Sequence, residues 1–196
     1  MVVINESHFY VCSVCGYTEV EDKIFHRVIK REHKNASGHF KCKNKDLRRY
    51  SLGYRFATNV LQIRFINPAL PAMEWEHAYS VLQGIIRGFC SYFSIDERDV
   101  SGCLQYFYND KANRGEYSIV LYDNAPGGSG YVSMLDSSDK LKSVLERTKS
   151  IMTSCGCGGE EGDSSCYSCL RNYYNQRHHD EMKRRYVIDF IDQVFS

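Results

Sequence analysis

Four cysteines near the end of the chain have the spacing of a metal site. Cys155, Cys157, Cys166 and Cys169 form the pattern C-x-C-x8-C-x2-C. The two cysteines of each close pair can bind the same ion. Four thiolates suit tetrahedral Zn²⁺ with Zn–S distances near ~2.3 Å. The loop between the pairs, GGEEGDSS, has no apolar side chain to hold it in place. The pattern therefore predicts a structural zinc site, because four protein ligands leave no open position for catalysis.

A second set of metal-ligating residues lies near the start of the chain. Cys12 and Cys15 with Gly16 form a C-x2-C-G knuckle, in which the glycine lets backbone amides turn toward the sulfurs. Cys42 is the remaining cysteine of this region. We favour His39 as the fourth ligand, because it forms an H-x2-C pair with Cys42. The other candidates are His26 and His33. The sequence thus predicts two Zn²⁺ ions in the chain.

Composition places the chain among ordinary globular proteins. It has 196 residues, of which 43% are hydrophobic and 25% are charged, which is enough for one domain with a core, or for one domain that carries a small appended module. No apolar run approaches the ~18 residues of a membrane span, and no signal peptide is visible. We therefore expect a cytoplasmic protein with no membrane partner. Its nine cysteines should stay reduced there, which favours metal ligation over disulfides.

Charge is unevenly distributed although the formal net charge is only +1. Residues 23–49 contain ten basic and two acidic side chains, whereas residues 66–110 contain six acidic and two basic ones. A second basic cluster lies in residues 171–185. Segregated positive charge suggests an anionic partner, most often nucleic acid; the alternative is an ordinary solvated surface. The candidate nucleic-acid-binding residues are Lys30, Arg31, Lys34, Lys41, Lys43, Arg48, Arg49, Arg171 and Arg177.

Hydrophobic periodicity predicts an α+β fold. Residues 9–46 read as a small zinc-stapled module, and residues 54–66 alternate in part as a strand that Pro68 and Pro71 end. Residues 75–93 carry apolar side chains at helical spacing, and residues 104–121 alternate as two strands of a hairpin. Two further helices are expected near residues 141–152 and 180–195, the last with Met182, Tyr186 and Phe190 inward. We expect a zinc-ribbon-like module (residues 1–50), then a mixed helix and strand domain (residues 51–196) closed by the four-cysteine site.

Three other features could carry chemistry. The glycine-rich turn after Asp123, NAPGGSG, could cradle a phosphate, but we favour a tight turn whose glycines let the zinc loop pack closely and whose Asp123 binds the turn backbone. Asn175 with His178 or His179 resembles histidine-metal nucleases superficially; tying the last helix to the zinc loop is the simpler explanation. The isolated Cys90 and Cys103 are expected to be buried apolar residues.

The second half of the chain resembles the zinc-binding domain first named for the helicase MrfA. The family pattern is a YD-x-x-x-GG-x-G turn, four cysteines ending in C-x2-C-L, then N-Q and a downstream His and Arg. The matching residues here are Tyr122, Asp123, Gly127, Gly128, Gly130, Cys155, Cys157, Cys166, Cys169, Leu170, Asn175, Gln176, His179 and Arg184. The domain occurs at the C-terminus of superfamily-two DNA helicases and in the DISARM anti-phage protein DrmB.

The resemblance implies a non-catalytic accessory domain or subunit. No helicase motif is present in the sequence, so the chain resembles the accessory domain alone, either a separate subunit or a fragment. The implied partners are DNA, single- or double-stranded, and a superfamily-two helicase, fused or separate, with an anti-phage system as one implied setting. Two alternatives remain: a zinc-stabilised metal-dependent nuclease using Asp123 and Asn175 with a histidine, and a pure protein-interaction adaptor.

Overall fold

The computed structural model describes residues 2–4, 9–20, 27–51, 53–65, 72–110 and 112–196. The chain divides into two compact units, Met1–Phe56 and Ala57–Ser196. The division expected from the sequence lies after Tyr50, six residues earlier than Phe56. The expected strand-ending Pro68 and Pro71, the candidate ligand His26 and the basic Lys23 all lie outside the described residues.

The first unit is built from short antiparallel strands. They are β1 (Val2–Ile4), β2 (Phe9–Val11), β3 (Thr18–Val20), β4 (Val28–Lys30), β5 (Asp46–Tyr50) and β6 (Gly53–Arg55). One sheet has the order β3-β2-β5-β4, and β1 pairs with β6. Among the residues of this unit whose burial the structure describes, Tyr10, Cys12 and Leu47 form the buried core, with a few partly buried neighbours. Small cores stabilise a fold weakly, and a metal site adds to their stability.

In the described part of the second unit, one helix packs on a three-stranded antiparallel sheet, and two further helices pack on that helix. Its elements are β7 (Val60–Ile63), α1 (Trp75–Phe93), β8 (Val100–Asn109), β9 (Arg114–Asp123), α2 (Ser138–Ser154) and α3 (Arg184–Phe195), with the sheet order β7-β9-β8. The expected hairpin is confirmed, and Tyr106 pairs with Tyr117 across it. The α+β class and the mixed helix and strand domain are confirmed as well.

Helix α1 lies at the centre of this unit and packs on α2, α3 and β8. Its buried residues surround most of the helix, from Ala78 to Cys90, rather than forming the single stripe expected. The close approach of α2 requires Gly88, because a Cβ there would lie 1.8 Å from the Thr148 Oγ1 atom. Among the described residues, no helix combines the length and the apolar composition needed to cross a membrane.

Several expected details are wrong. The strand expected within residues 54–66 is β7, and β6 is a second short strand that was not expected there. Helix α3 begins at Arg184 and not near residue 180, since the preceding turn is fixed by the Lys183 amide, which donates to the Ser80 Oγ atom at 3.2 Å. Tyr186 is only partly buried. Cys90 is buried as expected, but Cys103 is exposed, because it points away from the helices on the outer face of β8.

Candidate metal centres

The C-terminal cysteines form a compact tetrad. Cys155 directly follows α2, and Cys157, Cys166 and Cys169 lie in the loops before α3. Neighbouring sulfurs are 3.4 Å (Cys155–Cys157), 3.5 Å (Cys155–Cys166), 3.6 Å (Cys157–Cys169) and 3.8 Å (Cys166–Cys169) apart. Ligands ~2.3 Å from a tetrahedral Zn²⁺ lie ~3.8 Å from one another, whereas disulfide sulfurs are ~2.05 Å apart. The donor set therefore fits one zinc ion.

The electrostatics of the tetrad favour a cation. Burial raises the pKa of the Cys166 thiol, but the Ser168 amide and the Cys155 thiol outweigh this effect and lower it to about 6. Burial and the adjacent thiols raise the pKa of Cys157. Four thiolates this close repel one another, so they ionise together only around a positive charge.

The buried side chain of Arg184 connects the tetrad to the first turn of α3. Its Nε donates to the Cys157 carbonyl at 2.7 Å, its Nη1 to the Met152 carbonyl at 3.3 Å, and its Nη2 to the Gly159 carbonyl. It is only 6% exposed. The loop between the two cysteine pairs, which has no apolar side chain, is therefore held in place by the Arg184 guanidinium as well as by the cysteines. Arg184 is one of the residues that match the family pattern. From charge distribution alone, it was assigned to the basic cluster of residues 171–185.

The N-terminal cluster joins two turns of the four-stranded sheet. Cys12 and Cys15 lie in the turn between β2 and β3, where the Gly16 amide donates to the Cys12 carbonyl at 3.0 Å. His33 and Cys42 lie between β4 and β5. The Cys12 and Cys42 sulfurs are 3.9 Å apart, and the His33 Nε2 atom lies 3.3 Å from the Cys15 sulfur. All four ligand atoms lie within 4.8 Å of one another.

The preference for His39 is wrong, because His33 is the histidine in this cluster. The Cys42 amide donates to the His33 carbonyl at 3.0 Å, and Lys34 and Lys41 form the next bridge, so His33 lies opposite Cys42 in an antiparallel pair. His39 is exposed in the turn beyond this pair, where its amide donates to the Asn35 Oδ1 atom at 3.0 Å. The H-x2-C spacing of His39 and Cys42 suggested a zinc knuckle. The structure instead brings the histidine of the cluster, His33, to Cys42 by pairing across two antiparallel segments.

Hydrogen bonds orient His33 for ligation. Its Nδ1 lies 3.0 Å from the Arg31 carbonyl; since a carbonyl only accepts, Nδ1 carries the proton and Nε2 keeps a free lone pair for the cluster. That carbonyl also raises the pKa of His33. The Tyr17 ring stacks on the imidazole, with centroids 4.7 Å apart. Such support for a ligating histidine is typical of structural metal sites.

The thiol of Cys12 is prepared for ligation in a similar way. The Asn44 Nδ2 atom lies 3.3 Å from the Cys12 sulfur. Burial raises the pKa of Cys12, but hydrogen bonds from the Cys15 and Val14 amides and from Asn44 outweigh burial and lower it to about 6. A thiol that ionises this readily loses little when a metal replaces its proton.

Asp123 organises the glycine-rich turn and is fully buried. Its carboxylate accepts three backbone hydrogen bonds, from Ser129 (2.8 Å), Gly130 (2.6 Å) and Val132 (3.0 Å). The amides that could cradle a phosphate therefore point inward to a carboxylate. The expected packing partner is wrong in one respect: Gly128 lies against Asn59 and not against the zinc loop, since a Cβ there would lie 1.9 Å from the Asn59 Oδ1 atom.

Asn175 and His179 hold the segment before α3 together. Asn175 is buried, and its Nδ2 donates to the Leu170 carbonyl at 2.8 Å and to the Gln83 Oε1 atom at 3.0 Å. The His179 Nε2 atom lies 3.0 Å from the Asn175 Oδ1 atom and 3.1 Å from the Asn172 carbonyl, both acceptors, so it carries a proton. Asn175 and His179 therefore hold the backbone of this segment together, in agreement with the structural role expected for them from the sequence.

The candidate nucleic-acid residues differ in their surroundings. Arg31 pairs with Glu19, and Lys41 pairs with Glu32. Arg171 donates to the Ser165 Oγ atom and the His179 carbonyl, at 3.0 and 3.1 Å. Arg49 is partly buried. The exposed candidates for which the described residues offer no ion-pair partner are Lys30, Lys34, Lys43, Arg48 and Arg177.

The fold and the two clusters define a zinc-binding protein with two sites closed by protein ligands. The family model of the MrfA Zn-binding domain matches residues 81–170, a range that includes the whole cysteine tetrad. The resemblance expected from the sequence is confirmed for this segment, which is similar to the zinc-binding domain named for MrfA and makes up less than half of the chain.

Two longer proteins are similar to the chain over most of its length. Druantia protein DruE of Escherichia coli (strain UMEA 4076-1) is 22% identical over 199 residues, which cover 92% of this chain and 10% of DruE. The crystal structure of the DUF1998 helicase MrfA bound to DNA is similar with 16% identity and a TM-score of 0.47, covering 98% of this chain and 24% of that one. The chain corresponds to a small part of each protein.

Proposed function

We propose that the chain is a non-catalytic, zinc-stapled accessory module of a DNA helicase, fused to it or bound as a separate subunit. The observation that carries this proposal is the closed cysteine tetrad inside the segment matched to the MrfA Zn-binding domain. Zinc bound by four protein ligands supplies stability and not chemistry. The similarity to DruE supports a place in a phage-defence protein, and thiolate ligands are consistent with the reducing cytoplasm.

The module contacts DNA through phosphates. The cations that support this step are the basic surface of the first unit, which we define as Lys30, Lys34, Lys43 and Arg48; all four are exposed and none has an ion-pair partner among the described residues. Phosphate contacts of this kind release counterions and carry no sequence information. Affinity therefore falls steeply with salt and depends little on base sequence.

Charge reversal tests the basic surface. The Lys30→Glu, Lys34→Glu, Lys43→Glu variant should lose most DNA affinity at 50 mM salt, and its plot of log affinity against log salt should become shallower by about 0.7–0.9 for each phosphate that the variant no longer neutralises. Lys142→Glu, at an exposed position of α2, is the control for the effect of one such charge reversal away from the basic surface. Zinc content must stay unchanged in each variant. Affinity that ignores salt, or that survives the triple reversal, contradicts the role of this surface.

Two alternatives give different outcomes. A nuclease would cleave DNA when the purified chain is given Mg²⁺ or Mn²⁺, and Asp123→Asn would abolish the cleavage. A pure adaptor would bind the helicase partner but no DNA, alone or in the complex. Full burial of Asp123 on three backbone amides argues against a nucleolytic metal there.

A DrmB-like role in DISARM predicts co-purification with that system's helicase.

A further inference from the structure

The four-stranded sheet of the first unit has one covered face and one exposed face. Tyr10 and Leu47 are fully buried with the N-terminal cluster on the covered face. Because successive side chains of a strand point to opposite faces, Phe9, Arg48 and Tyr50 point away from that core. The register then places Val28 of β4 beside Arg48, and Val20 of β3 beside Phe9.

The exposed face combines apolar side chains with cations. Tyr50, Val28 and Val20 are 49%, 47% and 57% exposed. Phe9 pairs with Tyr50 across β2 and β5, so two aromatic residues are neighbours at one end of the face. Lys30 lies two positions along β4 from Val28 and is exposed. A soluble sheet normally places polar residues on its free face, so an aromatic and aliphatic face here indicates a ligand.

A concavity of about 580 Å³ lies at the same end of the face. It is lined by Arg27, Val28, Arg48, Arg49, Tyr50 and Ser51. Arg27 and Arg48 are exposed and have no ion-pair partner among the residues that the structure describes. Guanidinium groups bind phosphate oxygens with matched geometry. Anion-binding groups and an aromatic ring therefore lie side by side.

We propose that this face binds single-stranded DNA, with a base stacked on Tyr50 and neighbouring phosphates bound by Arg48 and Arg27. The combination of a positive surface with an exposed aromatic ring is the chemistry that recognises unpaired nucleotides. Duplex DNA keeps its bases stacked on one another and offers only phosphates to such a face. The inference rests on the proposed nucleic-acid function and specifies the strand state and the residues.

The test measures binding of a fluorescent 15-nucleotide oligothymidine and of a 15-base-pair duplex to the zinc-loaded full chain at 50 and 200 mM salt. Tyr50→Ala should weaken oligothymidine binding about 5- to 150-fold with an unchanged salt slope, because it removes stacking and no charge. Tyr50→Phe should retain binding. Arg48→Gln should reduce the salt slope by about 0.7, since it removes one bound phosphate. Tyr50→Ala should leave duplex binding unchanged.

Controls separate this surface from others and from misfolding. Tyr173→Ala removes a more exposed ring of the second unit, 76% exposed, and should leave binding unchanged. Zinc content and melting temperature should match those of the parent in every variant, because Tyr50 is half exposed.

Several outcomes overturn the inference. If Tyr50→Ala leaves oligothymidine affinity unchanged, the inference is overturned and the proposed function stays intact. The same holds if Tyr173→Ala lowers that affinity more than Tyr50→Ala does. A more than tenfold preference for oligouridine RNA overturns the assignment to DNA. If Tyr50→Ala abolishes binding to a helicase partner but leaves oligothymidine binding unchanged, the exposed face binds a protein and not DNA. Absence of any binding by the parent at 50 mM salt contradicts the inference and the proposed DNA contact together.

Discussion

Replacement of Arg184 by methionine should destabilise the second unit strongly. The guanidinium donates to the Cys157 and Gly159 carbonyls and, at the longer distance of 3.3 Å, to the Met152 carbonyl. A hydrogen bond to a charged group contributes ~1.5–3 kcal/mol, so loss of the two shorter bonds should lower the free energy of unfolding by about 3–6 kcal/mol. Methionine keeps much of the buried side-chain volume, so the loss reports on hydrogen bonding rather than on a cavity.

Arg185→Met provides the matched control. The Arg185 side chain is 40% exposed and contacts Asp163 at 3.0 Å, and a surface ion pair of this kind contributes ~0–1 kcal/mol. Urea unfolding at fixed free zinc, followed by circular dichroism, measures both variants, and a zinc-sensitive dye measures metal release on mild heating. Arg184→Met should also release the C-terminal zinc sooner. Equal stability of the two variants, or a loss below about 1 kcal/mol for Arg184→Met, would refute this account of the loop.

Three further changes test other parts of the structure. Cys166→Ser should lower the melting temperature by more than about 10 °C and leave one zinc, because binding energy at a structural site is folding energy; a parental melting curve contradicts a structural tetrad. Asp123→Asn should lower the free energy of unfolding by about 2–4 kcal/mol, since an amide replaces a charged acceptor of three backbone bonds, with exposed Asp136→Asn as the control. Gly128→Ala should destabilise more than Gly127→Ala in the same urea assay: both have positive φ, but only Gly128 lies against Asn59. Equal effects contradict that packing.

The sequence predicted those parts of the structure that depend on local spacing. The cysteine tetrad, the C-x2-C-G knuckle, helix α1 and the β8–β9 hairpin follow from short-range patterns that the structure reproduces. The hydrogen bonds of Asp123 to the turn backbone were also expected from residue type alone. In each case the residues that decide the structure are close in the sequence.

The failures concern contacts between distant residues. His33 lies opposite Cys42 in the antiparallel pair that includes the Lys34–Lys41 bridge, and no spacing rule around Cys42 contains that pairing. Arg184 is buried because the C-terminal loop supplies two carbonyls and the end of α2 a third, although the sequence composition placed this arginine in a basic cluster. The exposed face around Tyr50 depends on which side of β5 faces the small core, so periodicity in a five-residue strand could not assign it.

Zinc stoichiometry of the purified chain and two histidine variants tests the central claim most directly. We expect two zinc ions per chain by mass spectrometry under non-denaturing conditions or by elemental analysis. His33→Ala should retain one ion, because it removes a ligand of the N-terminal cluster, whereas His39→Ala should retain two. One zinc in the parent chain, or loss of an ion on His39→Ala with none lost on His33→Ala, would contradict the account.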